Sequence, residues 1–258
     1  VITCRTENEI DILREANQFV AEVLVTLAGM VEPGISTGEL DATAEKLIRA
    51  LGGEPSFLGY HGYPKSTCIS VDEVIVHGIP GKRKLKDGEI VSMDVGVFHR
   101  GYHGDAAVTV PCGTVNEERQ RLMKATDLAL SRAIASARAG NYLEDVSREV
   151  QLASEDAGFS VVRSFVGHGI GTSMHEEPQI PNFVTGERGP ELKVGMVLAI
   201  EPMVNVGTPD VKVLRDGWTA VTADGKASAH FEHSVVVREN GGEILSATPK
   251  LVWGKQVA

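Results

Sequence analysis
Two of the most apolar β-like runs in this chain each carry a carboxylate that such a run should not tolerate. Asp94 lies in the middle of Ile90–Phe98, and Glu201 closes Met196–Ile200. A strand buried on both faces cannot keep an unpaired carboxylate, because taking the ion out of water costs several kcal/mol. Arginine partners are scarce nearby, and the nearest, Arg100, falls in a predicted turn. Cations are the better compensation. Three more residues of ligating type stand at or near the ends of β-like segments: Asp105 ahead of Ala106–Val110, Glu232 within Phe231–Val237, and His168 in Gly167-His168-Gly169-Ile170-Gly171. Two divalent ions would balance the four carboxylates. Oxygen-rich ligation with one imidazole suits Mn, Fe or Co and admits Zn.

The rest of the chain must bring these five residues together. Residues 8–30 read as an amphipathic helix, with Ile12, Leu13, Ala16, Phe19, Val20, Val23, Leu24 and Leu27 at helical spacing. Pro33-Gly34 breaks it, and a second helix follows with Thr37 as its expected cap, Leu40, Ala44, Leu47, Ile48 and Leu51 as its apolar stripe, and Gly52-Gly53 as its stop. Strand-like runs come next: Thr67–Val71, Val74–Val76, Ile90–Phe98 and Ala106–Val110. The pattern then starts again. Asn116–Arg138 is helical, and another helix opens near Asn141, where Glu144 completes a capping-box spacing, and stops at Gly158. Ser160–Phe165, Met196–Ile200, Trp218–Thr222 and Phe231–Val237 then read as strands. Sliding the chain by 106 residues sets Gly34 on Gly140, Glu39 on Asp145, Leu40 on Val146, Ala44 on Val150 and Gly52 on Gly158. The repeated order predicts two similar halves facing each other, roughly 8–113 and 114–250, within one α+β domain over 1–258.

Size and charge narrow the partners. A chain of 258 residues, 42% of them hydrophobic, has material for a large core and should bury about 70–75% of its unfolded surface. The net charge is −10 and the one basic cluster is short, Lys82-Arg83-Lys84 with Lys86, which argues against nucleic acid as the main partner. Cys4, Cys68 and Cys112 are odd in number and far apart, the pattern of reduced thiols in a cytoplasmic protein. The polar, acidic start is unlike a signal peptide. The longest apolar candidate, around Val194–Val206, is broken by Glu201 and Pro202 and falls short of the roughly 18–20 residues needed to span a bilayer, so no membrane association is expected.

The local sequences around the ligand candidates add a resemblance. Gly59-Tyr60-His61-Gly62-Tyr63-Pro64-Lys65-Ser66, Val76-His77-Gly78-Ile79-Pro80, Gly167-His168-Gly169-Ile170-Gly171, His175-Glu176-Glu177-Pro178, Ile200-Glu201-Pro202-Met203 and Asp216-Gly217-Trp218 occur in that order. Together with the Asp, Asp, His, Glu, Glu sequence of ligands, they resemble the type I methionine aminopeptidases among the pita-bread metallopeptidases, from about residue 5 to residue 250. His168 and Glu201 are only 33 positions apart, too close for the inserted subdomain of the type II enzymes. No Cys-rich N-terminal extension is seen, so the bacterial form fits best. The resemblance implies two pseudo-symmetric halves of antiparallel sheet covered by helices. It also implies removal of the initiator methionine from nascent chains with a small second residue, by a monomer working transiently near the ribosome.

It further implies roles. Asp105 and Glu232 would bridge two metal ions, His168 and Glu201 would complete one, and Asp94 would chelate the other. A shared hydroxide would attack the scissile carbonyl, with Glu201 moving its proton. His77 and His175 would steady the substrate amide and the oxyanion rather than bind metal. Phe57, Tyr60, Tyr63, Cys68, Met174 and Trp218 would line the methionine pocket, where sulfur and aromatic surface suit a thioether. Phe57 and Met174 depart from the bacterial pattern, which favours a smaller residue at the first position and Phe at the second. One wall would gain the ring that the other loses, roughly conserving volume.

Other motifs have simpler accounts. Gly34-Ile35-Ser36-Thr37-Gly38 matches a nucleophile elbow, but a helix precedes it where that motif needs a strand. Nothing near Cys68 would activate its thiol, and Gly167–Gly171 lacks the Lys-Ser/Thr of a phosphate loop. Two rivals remain. A proline-specific peptidase of the same fold would carry a large extra N-terminal domain, and a catalytically dead pita-bread binding protein would have lost ligands.

Overall fold
A computed structural model describes residues 1–247. The first half opens with helix α1 (Glu7–Met30), whose start is fixed by a reciprocal cap: Thr6 accepts from the Glu9 N–H, and the Glu9 carboxylate takes the Thr6 N–H at 2.8 Å. The stripe Ile10, Leu13, Ala16, Val20, Val23, Leu24 and Leu27 is buried. Each large member contributes about 1.5–3 kcal/mol by leaving water. Ile12, expected in that stripe, is only half-buried, and Ile10 fills the core position.

Helix α2 (Thr37–Ala50) is capped by Ser36 rather than Thr37. Ser36 is extended and accepts from the Glu39 N–H, whereas Thr37 is already helical and its hydroxyl accepts from the Gly81 N–H at 2.9 Å. Helices α3 (Glu117–Ser136) and α4 (Leu143–Asp156) form the second pair. The start of α4 also differs from expectation by one step: Asp145, not Glu144, reaches back to the N–H of the residue before the helix, Tyr142, at 2.8 Å. The internal repeat is visible in the elements themselves. A shift of 106 residues carries Thr37–Ala50 onto Leu143–Asp156, the end of α1 at Met30 onto the end of α3 at Ser136, and the strand Glu54–Pro55 onto Ser160–Val161.

A nine-stranded sheet crosses both halves. Its path runs Glu54–Pro55, Ile90–His99, Tyr102–Pro111, Glu232–Arg238, Val197–Ile200, Gly167–Gly169 and Glu176–Ile180, with Thr67–Val71 and Gly241–Ile244 as side branches. Every pairing in it is antiparallel. The halves meet where Glu232 stands opposite Ala107. Helix α1 packs on Ile90–His99 and Tyr102–Pro111, while α3 packs on the second-half strands. Two three-stranded sheets complete the fold, one from Ser228–His230, Met203–Asn205 and Ser160–Val161, the other from Val211–Val213, Ala220–Thr222 and Val74–Val76.

Thr67–Val71 and Val74–Val76 are strands as expected. The run Ser160–Phe165 keeps only Ser160–Val161, and Trp218–Thr222 begins at Ala220, because Asp216 folds Trp218 and Thr219 into a turn by accepting both N–H groups at 2.9 Å. Gly167–Gly169 and Glu176–Ile180 are strands that composition hides, one mostly glycine and the other carrying Pro178 and two glutamates. Among the described residues no helix is long and apolar enough to cross a membrane. All three cysteines are free thiols, with Cys68 and Cys112 buried. The end of the second half expected at residue 250 lies outside the described residues.

Candidate metal centre
Sheet register puts the five ligand candidates on one surface. Cys68, Asp94, Ala107 and Glu232 form a single rung across four strands. Side chains along a strand alternate faces, so Asp105, two before Ala107, shares that face. A second rung aligns His168, Ala199 and Ser234, two positions on from Glu232, and Glu201 follows Ala199 by two. Glycines let the short central strand approach its neighbours. A Cβ on Gly167 would lie 2.5 Å from the Ala199 carbonyl oxygen, and one on Gly169 would lie 2.2 Å from that of Glu177.

The floor of the site is buried and short of partners. Asp105, His168 and Glu232 are each under a tenth exposed, and their ligand atoms lie within 4.8 Å of one another. Asp94 Oδ1, Asp105 Oδ1 and Glu232 Oε1 are buried without a hydrogen-bond partner. Burial holds the Asp94 carboxyl up at about 7, against a lowering by His230 that repulsion from Glu201 only partly cancels, and burial holds Glu201 at about 8. Asp105 and Glu232 are pushed well above the usual carboxylate range, by burial first and then by neighbouring carboxylates. Four such groups cannot all ionise here unless cations share the site. The donor set therefore fits divalent metal.

His168 is oriented for ligation. Its Nδ1 lies 2.9 Å from the Gly169 carbonyl, an Nδ1–H donor arrangement that leaves the Nε2 lone pair facing Glu201 Oε1 at 3.5 Å and Asp105 Oδ2 at 3.9 Å. Burial, reinforced by His175, lowers its pKa to about 3, which keeps the imidazole neutral. Asp105 is held from behind. Its N–H reaches Asn17 Oδ1 at 3.3 Å and Ser234 Oγ at 3.2 Å, and Ser234 Oγ–H donates to its carbonyl at 2.8 Å.

Above this floor opens a cavity of about 450 Å³. Asp94, Asp105, His168, Glu201 and Glu232 line one side, and Phe57, Tyr60, Tyr63, Cys68, Val76, Phe165, Val166 and Trp218 line the rest with His61, His77 and His175. Burial lowers the pKa of His77 to about 4, with His230 and His175 contributing, and burial also lowers that of His175. Both rings are neutral near pH 7. The Tyr60 hydroxyl lies 2.7 Å from His175 Nδ1. Tyr63 is buried, donates to the Thr67 and Gly78 carbonyls, and packs edge-on to Trp218 at 5.1 Å. Cys68 is a buried thiol whose pKa burial raises further, so it is not a nucleophile. Ser36 is a helix cap and no nucleophile either.

Met174 differs from the other pocket candidates. It packs in one apolar cluster with Phe57, Tyr63 and Cys68 but is not among the residues that line the cavity, so it backs the wall. Two histidines, besides the wall residues Val76, Phe165 and Val166, escaped the sequence reading. His61 lines the cavity from within the motif already quoted. His230 is buried, with Nε2 3.5 Å from Glu201 Oε2, and its signal was alternation: it precedes Glu232 by two.

The buried carboxylates and the neutral imidazole make a set that fits divalent metal, and the family model Metallopeptidase family M24 matches residues 11–239. The chain belongs to metallopeptidase family M24. Its M24 relatives include a methionine aminopeptidase of Clostridium perfringens, 51% identical over 95% of this chain and 99% of the relative. Methionine aminopeptidase 1 of Bacillus subtilis is 48% identical over the same shares. Among solved M24 structures, a methionine aminopeptidase from Thermotoga maritima superposes with a TM-score of 0.94 at 43% identity, covering 96% of this chain and all of that one. Prolidase from Pyrococcus furiosus superposes at 0.79 with 23% identity, covering 95% of this chain and 65% of that one, and shares the fold alone. The α+β architecture is thus the pita-bread fold expected from sequence. Divalent metal binding follows from membership of the M24 family.

Proposed function
We propose that this M24 chain is a metal-dependent aminopeptidase that removes the N-terminal methionine of polypeptides. The observation that carries the reading is a cavity in which a metal-binding floor meets an aromatic and sulfur-lined wall. The volume, about 450 Å³, falls within the roughly 300–1,000 Å³ of small-ligand sites. Alignment along 99% of a methionine aminopeptidase, at 51% identity, supports the substrate.

The roles are those the family resemblance implies, and the placement of the residues supports them. Asp105 and Glu232 sit deepest and would bridge two divalent ions; Asp94 would hold one, and His168 with Glu201 the other. Mn, Fe or Co suits this donor set best, with Zn admitted. Bound there, the ions would supply Lewis acidity and a water acidified toward neutral pH. Glu201 would hold and move a proton toward the leaving amine. His77 and His175, neutral and on the cavity wall, would donate hydrogen bonds to the amide and to the oxygen that becomes anionic. Phe57, Tyr60, Tyr63, Cys68 and Trp218, with Met174 behind, would enclose the thioether. Substrates would be new chains with a small second residue, met in the cytoplasm as they leave the ribosome, by an enzyme acting as a monomer.

A panel of Met-X and Leu-X peptides, with and without a chelator, tests this. Met-Gly, Met-Ala and Met-Ser should be cleaved well and Met-Leu, Met-Lys and Met-Phe poorly, because a bulky second residue displaces the scissile amide from a fixed attack geometry. Discrimination should appear in kcat as well as KM. Rapid cleavage of Leu-Pro with no turnover of Met-Ala would favour the proline-specific rival, and no metal-dependent turnover of any peptide would favour the binding protein.

A further inference from the structure
His175 lies in a bend, residues 170–175, that connects the strands Gly167–Gly169 and Glu176–Ile180. A segment without strand pairing would leave a catalytic imidazole loosely held. The adjoining Glu176 is tied instead to the far end of the chain. Arg5 Nη2 donates to Glu176 Oε1 at 2.7 Å and Oε2 at 2.6 Å across 171 positions of sequence, and the Arg5 side chain is only 7% exposed. Glu176 Oε1 also accepts from the Ser173 N–H at 3.1 Å and the Thr172 hydroxyl at 3.3 Å, closing the bend on itself. Gly171 leaves room for the guanidinium: a Cβ there would lie 2.1 Å from Arg5 Nη2.

Arg5 is itself anchored. Its N–H donates to the Gly195 carbonyl at 2.7 Å, its guanidinium stands 5.8 Å from the centre of the Tyr102 ring, and Glu9 lies 3.7 Å away. The Gly171 carbonyl accepts from the His103 N–H at 2.8 Å, so the bend is also pinned to the first-half sheet. On the cavity side, Tyr60 and the ring of His168, at 4.3 Å, hold His175 in turn.

We propose that Arg5 is a positioning residue for His175, acting through Glu176, so that the segment preceding α1 sets the geometry of the cavity imidazole. This rests on the reading that His175 acts on the substrate amide. Displacement of a positioned group by about 1 Å from a distant change costs up to about a hundredfold in rate. Arg5→Ala should therefore lower kcat for Met-Ala-Ser by on the order of ten- to a hundredfold, with KM and the calorimetric metal affinity little changed. Arg5→Lys, which keeps a cation but not the planar donor set, should recover part of the loss.

The deciding measurement is a double-mutant cycle. If Arg5 acts through His175, Arg5→Ala should lower kcat no further in a His175→Ala background. An equal loss in both backgrounds would mean general damage and would overturn the proposal, as would parent-like kcat in Arg5→Ala. Should His175→Ala itself keep the parent kcat, the catalytic reading of His175 fails rather than the link. The link is then read from the His175 imidazole resonances of the Zn-loaded protein, which Arg5→Ala must shift; unmoved resonances overturn it.

Discussion
The floor and the wall of one cavity are built in opposite ways. Every floor residue lies in a strand or directly beyond one, and two rungs of antiparallel pairing fix which face it occupies. The wall comes largely from turns. Tyr60 opens a short helical turn after Gly59 at φ 83, with His61 at φ 48, and His77 stands at φ 59. Trp218 is held by the Asp216 turn, and Met174 sits in the bend before Glu176. The carboxylates thus rest on paired strand, whereas much of the wall rests on turns held by side-chain hydrogen bonds.

The sharpest way to break this contrast is at Glu232. Glu232→Ala should abolish tight metal binding by calorimetry and reduce peptide cleavage to background, since it removes a carboxylate proposed to serve both ions. Retained affinity would mean the floor is assigned wrongly.

The floor should also show itself without substrate. In metal-free protein the folded-state pKa of Glu201, about 8, and of Asp94, about 7, lie above their usual values of 4.5 and 3.8. The folded state then binds more protons than the unfolded one, so stability should fall as pH rises from about 4 through 8. The loss should be on the order of a few kcal/mol in urea titrations, and saturating divalent metal should suppress it. A wall mutation such as Phe57→Cys should leave that slope unchanged. A flat metal-free profile would contradict the buried, unpaired floor.

His175→Ala tests the boundary between the two regions. Metal affinity should survive, while kcat falls by about 10²–10³, or about 2.7–4 kcal/mol, as for loss of an oxyanion donor. Abolished metal affinity would move His175 into the floor.

The smallest effect belongs to the wall. Phe57 and Met174 share one apolar cluster, so Phe57→Cys should leave a void and Met174→Phe should crowd it, each by about 1–3 kcal/mol in kcat/KM. The double change should recover part of the loss. Strict additivity would show that Met174, set behind the cavity surface, does not sense its neighbour.

The floor was also more legible in sequence than the wall. Carboxylates inside apolar runs are anomalous wherever they occur, so Asp94 and Glu201 announced a cation before any register was known. The offset of 106 residues, read from scattered matches, recurs in the bounds of α2 and α4, although the start of α4 was expected one step away. What sequence could not give was register, which decides that Asp94 and Glu232 share a rung. Nor could it separate Met174 from the residues lining the cavity, because position behind a wall depends on a bend held by Arg5, 171 positions before Glu176. His230 was missed because a histidine two before a ligand looks like any alternating strand residue.

The junction at Ala107 and Glu232 has a further consequence for how the molecule opens. Asp94 and Asp105 come from the first half, and His168, Glu201 and Glu232 from the second. An ion shared by Asp105 and Glu232 would act as a rivet through the joint, and parting the halves would require its release. Amide exchange along Tyr102–Pro111 and Glu232–Arg238 should therefore slow together as free metal rises, by the mass-action relation between ligand and native state. Occupancy of the site would then set the lifetime of the closed sheet as well as its catalytic competence.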